Sequence, residues 1–157
     1  MKVSRKELDK RMTFFEHACR KSGAKLTHQR MEVFREVAQT SDHPDAEKVF
    51  KGLRKRMPMI SLDTVYRTLW WLKELGLITM LGPTRERARF DANLNRHHHF
   101  VCTRCAMTRD FASDELDRLK LPDSLRYIGH VEKTQVEVKG ICQKCAKLRK
   151  VGAKHQR

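Results

Sequence analysis

Apolar residues fall in helical register through the first half of the chain. Leu8, Met12, Phe15 and Cys19 recur at i, i+4, i+7 and i+11, one stripe of a helix that Gly23 is placed to end. Thr27 suits the N-cap of a second helix with Met31, Phe34 and Val37 facing inward. Pro44 suits the first turn of a third, whose stripe is Ala46, Val49, Phe50, Leu53 and Met57, with Pro58 stopping it. Ser61 caps a fourth, Asp63 complements its dipole, Leu62, Val65, Leu69 and Leu72 face inward, and Gly76 closes it. Two short apolar runs, Leu77 to Leu81 and Arg87 to Asp91, flank Gly82-Pro83 and predict a loose β-hairpin. Short helices followed by a hairpin give the layout of a winged helix. The outward face of its fourth helix presents Thr64, Tyr66, Arg67, Trp70 and Lys73, suited to phosphate and base edges; a solvated helix surface is the plainer alternative.

The pattern then changes. His99 to Thr103 and Val131 to Ile141 alternate as strands, and Ser113 can cap a short helix holding Leu116 and Leu119, closed by Pro122. Roughly 60 residues of this kind bury too little apolar surface alone, so a metal staple or a dimer interface is expected. The resulting fold class is α+β: an N-terminal winged helix-turn-helix domain over 1–88, a hinge at about 82–96, a small dimerisation and metal-binding domain over 89–147 and a basic tail over 148–157.

Charge narrows the partners. With 34 Lys+Arg against 19 Asp+Glu the formal charge is +15, which favours polyanions and makes double-stranded DNA the default partner. No run of 18 apolar residues exists, and MKVSRKELDK at the N-terminus lacks a secretory h-region, so a cytoplasmic protein with no membrane partner is expected. Five cysteines in a reducing compartment then point to metal or redox chemistry rather than disulfides.

Cys102/Cys105 and Cys142/Cys145 are two Cys-x-x-Cys pairs, and two such knuckles supply the four soft ligands of tetrahedral zinc. A redox dithiol is the alternative, weakened by the presence of two pairs near strand ends. Cys19, alone on a helical stripe, reads as core. In an extended chain His97 and His99 project to one face and can share an ion, with Asp91 before them, Asp110 after them and His43 far upstream; solvated histidines are the alternative. A mixed N/O set suits Fe(II), Mn(II) or Zn(II) better than Cu(I). An enzyme is not expected: the His-x-Glu and Pro-Cys-x-x-Cys signature of zinc deaminases is missing, as are a nucleophile elbow and a phosphate loop.

The order of these pieces resembles the ferric uptake regulator family of bacterial metalloregulators. The likeness is carried by Gly23-Ala-Lys-Leu-Thr-His-Gln-Arg30, His43-Pro44, Thr64-Val-Tyr-Arg67 leading to Gly76-Leu-Ile78, and Arg89-Phe-Asp91. It continues through the His97-x-His99-x-x-Cys102-x-x-Cys105 string, Asp110-Phe111 and Gly140-x-Cys142-x-x-Cys145. The resemblance implies a homodimeric repressor with structural Zn2+ on the four cysteines and a regulatory site for Fe2+ or Mn2+ formed by His43, Asp91, His97, His99 and Asp110. It implies that Tyr66 and Arg67, with Thr64 on the same helix, read the major groove of an A·T-rich inverted repeat, while Lys25 approaches the minor groove or backbone. Asp110 and Asp91 resemble the peroxide-sensing subgroup, in which iron and hydrogen peroxide oxidise ligating histidines; His43 and His97 match those positions. An iron, manganese or zinc uptake repressor of the same family, or a zinc-stapled DNA-binding or interaction module without sensing, are the alternative readings. Two departures stand out: Ala106 follows the first knuckle where Gly is usual, and Thr134 stands where several members place a metal-binding His.

Overall fold

A computed structural model describes residues 2–82 and 88–152, the last four of these by backbone alone. The chain divides into two compact units, Met1–Leu94 and Asn95–Arg157.

The first unit is helical with a terminal hairpin. Its elements are α1 (Arg5–Lys21), α2 (His28–Ala38), α3 (Ala46–Leu53), α4 (Leu62–Glu74), β1 (Thr79–Leu81) and β2 (Arg89–Asp91). Each helix starts where a short polar side chain can take a free N–H of the first turn. Ser4, Thr27, Asp45 and Ser61 accept from the amides of Glu7, Arg30, Lys48 and Thr64 at 3.2, 3.3, 2.8 and 3.1 Å. Gly23 and Gly76 follow α1 and α4 with φ of 66° and 68°. The stripes meet in one core: Phe15 stacks on Phe34 with ring centroids 4.6 Å apart, and Val33, Val37, Val49, Leu53, Val65, Leu69, Leu72 and Phe90 are buried around them. Met31 is half-buried against that core, and Leu62 is half-buried at the start of α4.

Three details differ from the sequence reading. Asp45 caps the third helix, which begins at Ala46 rather than with Pro44 in its first turn. Pro44 lies before it, and its carbonyl instead accepts from Phe90 N–H at 3.0 Å. That helix ends at Leu53 rather than near Met57, because the amides of Arg56 and Met57 both turn back to the Leu53 carbonyl at 2.8 Å. Met57 still packs on the core from the turn. The hairpin strands are shorter than the apolar runs; Thr79 pairs with Asp91, Met80 with Phe90 and Leu81 with Arg89, while Pro83 and Arg87 lie outside the described residues. This ladder places Arg89–Asp91 in the first unit, which runs to Leu94.

The second unit holds β3 (His98–Cys102), β4 (Thr108–Phe111), α5 (Asp114–Asp117), a 3-10 turn (Asp123–Tyr127), β5 (Glu137–Gly140) and α6 (Gln143–Gly152). The sheet order is β4-β3-β5, with β4 antiparallel and β5 parallel to β3. The Thr108–Phe111 strand and the 3-10 turn have no counterpart in the sequence reading. Val131–Ile141 contributes a strand only at Glu137–Gly140, α5 stops before Leu119, and the expected tail begins inside α6. Among the described residues, the buried apolar positions of this unit are Cys102, Cys142 and Cys145, with Phe100 and Met107 half-buried against them. The unit's core is therefore its cysteine cluster.

Candidate metal centres and nucleic-acid face

The four paired cysteines converge. β3 ends on Cys102, the turn after it carries Cys105, and Cys142 and Cys145 lie at the mouth and first turn of α6. Parallel pairing sets Cys102 opposite Gly140, and Thr103 N–H reaches the Gly140 carbonyl at 2.8 Å, which brings the knuckles together. All four Sγ atoms lie within 4.8 Å of one another, with Cys105 and Cys142 at 3.8 Å. Thiolates around tetrahedral zinc at about 2.3 Å stand about 3.8 Å apart, so the donor set fits that ion. Amides serve the sulfurs: Cys142 N–H donates to Cys102 Sγ at 3.3 Å and Cys145 N–H to Cys142 Sγ at 3.5 Å. The amides of Cys142, Cys105 and Arg104 hold the Cys102 thiol at about 6, below its ordinary range. The neighbouring sulfurs of Cys105 and Cys142 push Cys145 up to about 12. A dication removes that conflict by accepting all four as thiolates.

The first knuckle closes on Ala106, which sits in the left-handed region at φ 54° with its N–H on the Cys102 carbonyl at 2.9 Å. This is the strain that the missing glycine predicts. Glycine is needed for space at 140, where an added Cβ would lie 3.0 Å from the Phe100 ring. Gly140→Ala is expected to lower the unfolding free energy by about 1 kcal/mol, at the low end for overpacking because the half-buried ring can yield. Denaturant unfolding of zinc-loaded protein checks it; an unchanged midpoint contradicts the tight contact.

The nitrogen and oxygen donors occur in two sets. In the first unit His43 and Asp91 are both buried, with His43 Nε2 3.5 Å from Asp91 Oδ2. His43 has φ 47°, an uncommon conformation held by Arg89 Nη1 donating to its carbonyl at 3.2 Å. Asn93 N–H donates to Asp91 Oδ1 at 2.7 Å and orients the carboxylate.

In the second unit His97 and His99 place their Nε2 atoms 3.0 Å apart, with Asp110 Oδ1 at 3.8 and 3.5 Å from them. Strand pairing explains this, because His99 and Asp110 are direct cross-strand partners on β3 and β4. His97 Nδ1 lies 2.7 Å from the Asn95 carbonyl, which calls for a proton on Nδ1 and leaves the Nε2 lone pair for a metal. Adjacent ligands of an octahedral ion at about 2.1 Å are about 3.0 Å apart, so the two imidazoles have the spacing of neighbouring ligands.

The DNA-facing candidates lie on the first unit. Arg67 is exposed, with Asp63 at 3.8 Å one turn back, and Thr64 sits beside it, while Tyr66 packs partly against the core. Thr64 and Arg67, with Gln29, Arg30, Thr68 and Trp71, line a depression of about 450 Å³. Arg30 is a residue that the sequence alone does not single out. Its guanidinium lies 3.9 Å over the Trp71 ring and donates to the Lys25 carbonyl at 2.6 Å, so it ties the Lys25 segment to α4. An Arg in the first turn of α2 and a Trp on α4 leave no joint signal until the helices pack.

A helical unit ending in a hairpin, followed by a small cysteine-stapled sheet unit with a second set of imidazole and carboxylate donors, defines a winged-helix metalloregulator. The chain belongs to the ferric uptake regulator family, whose model matches residues 21–139. It is 29% identical over 128 residues to the peroxide-responsive repressor PerR of Staphylococcus epidermidis, covering 80% of this chain and 84% of that protein. The fold matches the ferric uptake regulator Fur of Helicobacter pylori with a TM-score of 0.72 and 21% identity, covering 93% of this chain and 97% of that one. It also matches a zinc uptake regulator complexed with zinc and DNA, with a TM-score of 0.66 and 19% identity over 91% of this chain and 97% of that one. The family is one of transcriptional regulators. Among the described residues, no helix is long and apolar enough to cross a membrane.

Proposed function

We propose that this protein is a dimeric repressor whose grip on DNA is set by one divalent ion, Fe2+ or Mn2+, held by His43, Asp91, His97, His99 and Asp110, and that it responds to hydrogen peroxide. The observation that carries the reading is the presence in each unit of buried imidazoles beside a carboxylate, Asp91 buried and Asp110 partly so, with orienting hydrogen bonds on Asp91 and His97. An ion taken by both sets would tie the helical unit to the sheet unit and fix the spacing of two recognition helices. The likeness to a peroxide-responsive repressor supports the choice of signal. A second copy of the chain is the partner proposed for the second unit, in which Tyr127, Ile128, Val131, Val138 and Ile141 are exposed and Phe100, Phe111 and Val138 line an open depression.

Bound ferrous iron would supply one chemistry, reduction of hydrogen peroxide. The net change is insertion of one peroxide oxygen into an imidazole C–H, with water as the other product. His43 and His97 are the expected sites. An oxidised imidazole is a poorer donor, so the two units would lose their common tie and the dimer would release DNA.

DNA binding is tested by anisotropy on an A·T-rich inverted-repeat duplex and on random sequence, with manganese present. Arg67→Ala is expected to cost about 1–3 kcal/mol on the inverted repeat and to relax preference. Lys25→Ala and Arg30→Ala are expected to weaken binding to both duplexes alike and to lower the salt slope by about one for each phosphate no longer neutralised. Equal wild-type affinity for both duplexes, unaffected by manganese, would sink the reading.

A further inference from the structure

His98 takes no part in the donor set of its two neighbours. It stands on the other side of the strand, is 1% exposed, and has partners of its own. Its Nδ1 accepts from Val136 N–H at 3.2 Å, which places the ring proton on Nε2, and Nε2 lies 3.3 Å from Asp117 Oδ1. Arg96 completes the group: its Nε is 2.9 Å from the same Oδ1, and its Nη2 donates to the Asp117 backbone carbonyl at 2.7 Å. The ring also lies against Phe111, centroid to centroid 5.5 Å. Thus the start of β3 is fastened on one side to the segment leading into β5 and on the other to the last residue of α5.

We propose that His98, Asp117 and Arg96 are positioning residues that set the aim of His97 and His99 at a divalent ion. The proposal rests on the reading of those two histidines as ligands. Bulk alone does not require this trio, because a phenylalanine at 98 would fill the space beside Phe111, although Val136 N–H and Asp117 Oδ1 would then lose the imidazole they face. What the polar partners add is a fixed orientation. In an extended strand successive side chains project oppositely, so a rotation of the chain about His98 moves the Cα–Cβ vectors of 97 and 99 together off target. Ligand constellations tolerate only about 0.5 Å of such error. Arg96 gives Asp117 a permanent positive partner, so the fastening exists before any ion arrives. The same segment holds the neighbouring backbone, with Gln135 Nε2 donating to the His97 carbonyl at 3.2 Å and His99 N–H to the Val136 carbonyl at 3.0 Å.

The test is manganese titration of zinc-replete, full-length protein, by electron paramagnetic resonance of free Mn2+ alongside zinc analysis. His98→Phe and Asp117→Leu are each expected to weaken Mn2+ binding about 10- to 100-fold, the range for groups that orient metal ligands, while zinc stays at one per chain. The double variant should lose no more than either single one, because both break one fastening. Asp117→Asn, which keeps an oxygen in the place of Oδ1 beside Nε2, should retain more of the affinity than Asp117→Leu. Wild-type Mn2+ affinity in His98→Phe overturns the proposal. So do additive losses in the double variant, or loss of zinc together with manganese, which would assign the trio to folding alone. If the wild-type protein takes up no Mn2+ beyond its zinc, the ligand reading itself fails and the lock falls with it.

Discussion

Cys102→Ser and Cys142→Ser are each expected to yield protein without zinc, with an unfolded second unit and no dimer. The size of the effect follows from what the unit has to replace the metal. Its buried apolar residues, among those described, are Cys102, Cys142 and Cys145, and its other large apolar side chains are only partly buried or exposed. Hydrophobic burial there cannot offset the chain entropy of ordering a three-stranded sheet. Structural zinc contributes on the order of 10 kcal/mol in small domains, and that free energy is folding free energy. Hydrogen exchange should lose protection across His98–Cys102, Thr108–Phe111 and Glu137–Gly140 while α1, α2 and α4 of the first unit keep theirs. Cys19→Ala should leave zinc at one per chain, since Cys19 lies in the helical core of the first unit. A zinc-free dimer with its sheet protected would overturn this account.

Peroxide is expected to produce the largest functional change. Protein loaded anaerobically with Fe(II) and treated with about stoichiometric hydrogen peroxide should gain mass additions of about 16 on the peptides holding His43 and His97 and should leave DNA. Moving the bound fraction from nearly all to nearly none takes about 5.5 kcal/mol of differential binding, within reach if one ion links both units. The same protein carrying Zn(II) or Mn(II), which do not readily reduce peroxide, should stay bound. In Asp110→Glu the carboxylate is one methylene longer and can close the coordination position that peroxide needs, so the peroxide response should weaken while metal-dependent binding persists. Unmodified His43 and His97 with persistent DNA binding would replace the peroxide reading with that of a metal-uptake repressor.

The helices and their starts are legible in the sequence because their determinants are local. A cap and the amide it serves are three residues apart, and an amphipathic stripe repeats every three or four. The capping at Thr27 and Ser61 can therefore be read without knowing what the helices pack on. The third helix differs from its sequence pattern at both ends. Pro44 has the residue type of a first turn, but its carbonyl is committed to Phe90, a partner far along the chain that no local pattern reveals. The Thr108–Phe111 strand is hidden for the same reason: Thr-Arg-Asp-Phe carries little alternation and is a strand because β3 offers it a ladder.

By itself the sequence determined the chemistry. Paired Cys-x-x-Cys spacing points to four convergent thiolates, alternate histidines on an extended segment put two imidazoles on one face, and a charge of +15 favours a polyanion as partner. These hold because spacing along a regular backbone fixes direction. Only the tertiary structure decided which side chains serve others. It set Asp110 across the ladder from His99 and Arg30 on the face of Trp71. It also drew Asp117 and Arg96 to the back of His98. Those pairings join residues from different elements, and their geometry comes from strand register and helix packing, which no single stretch of chain contains.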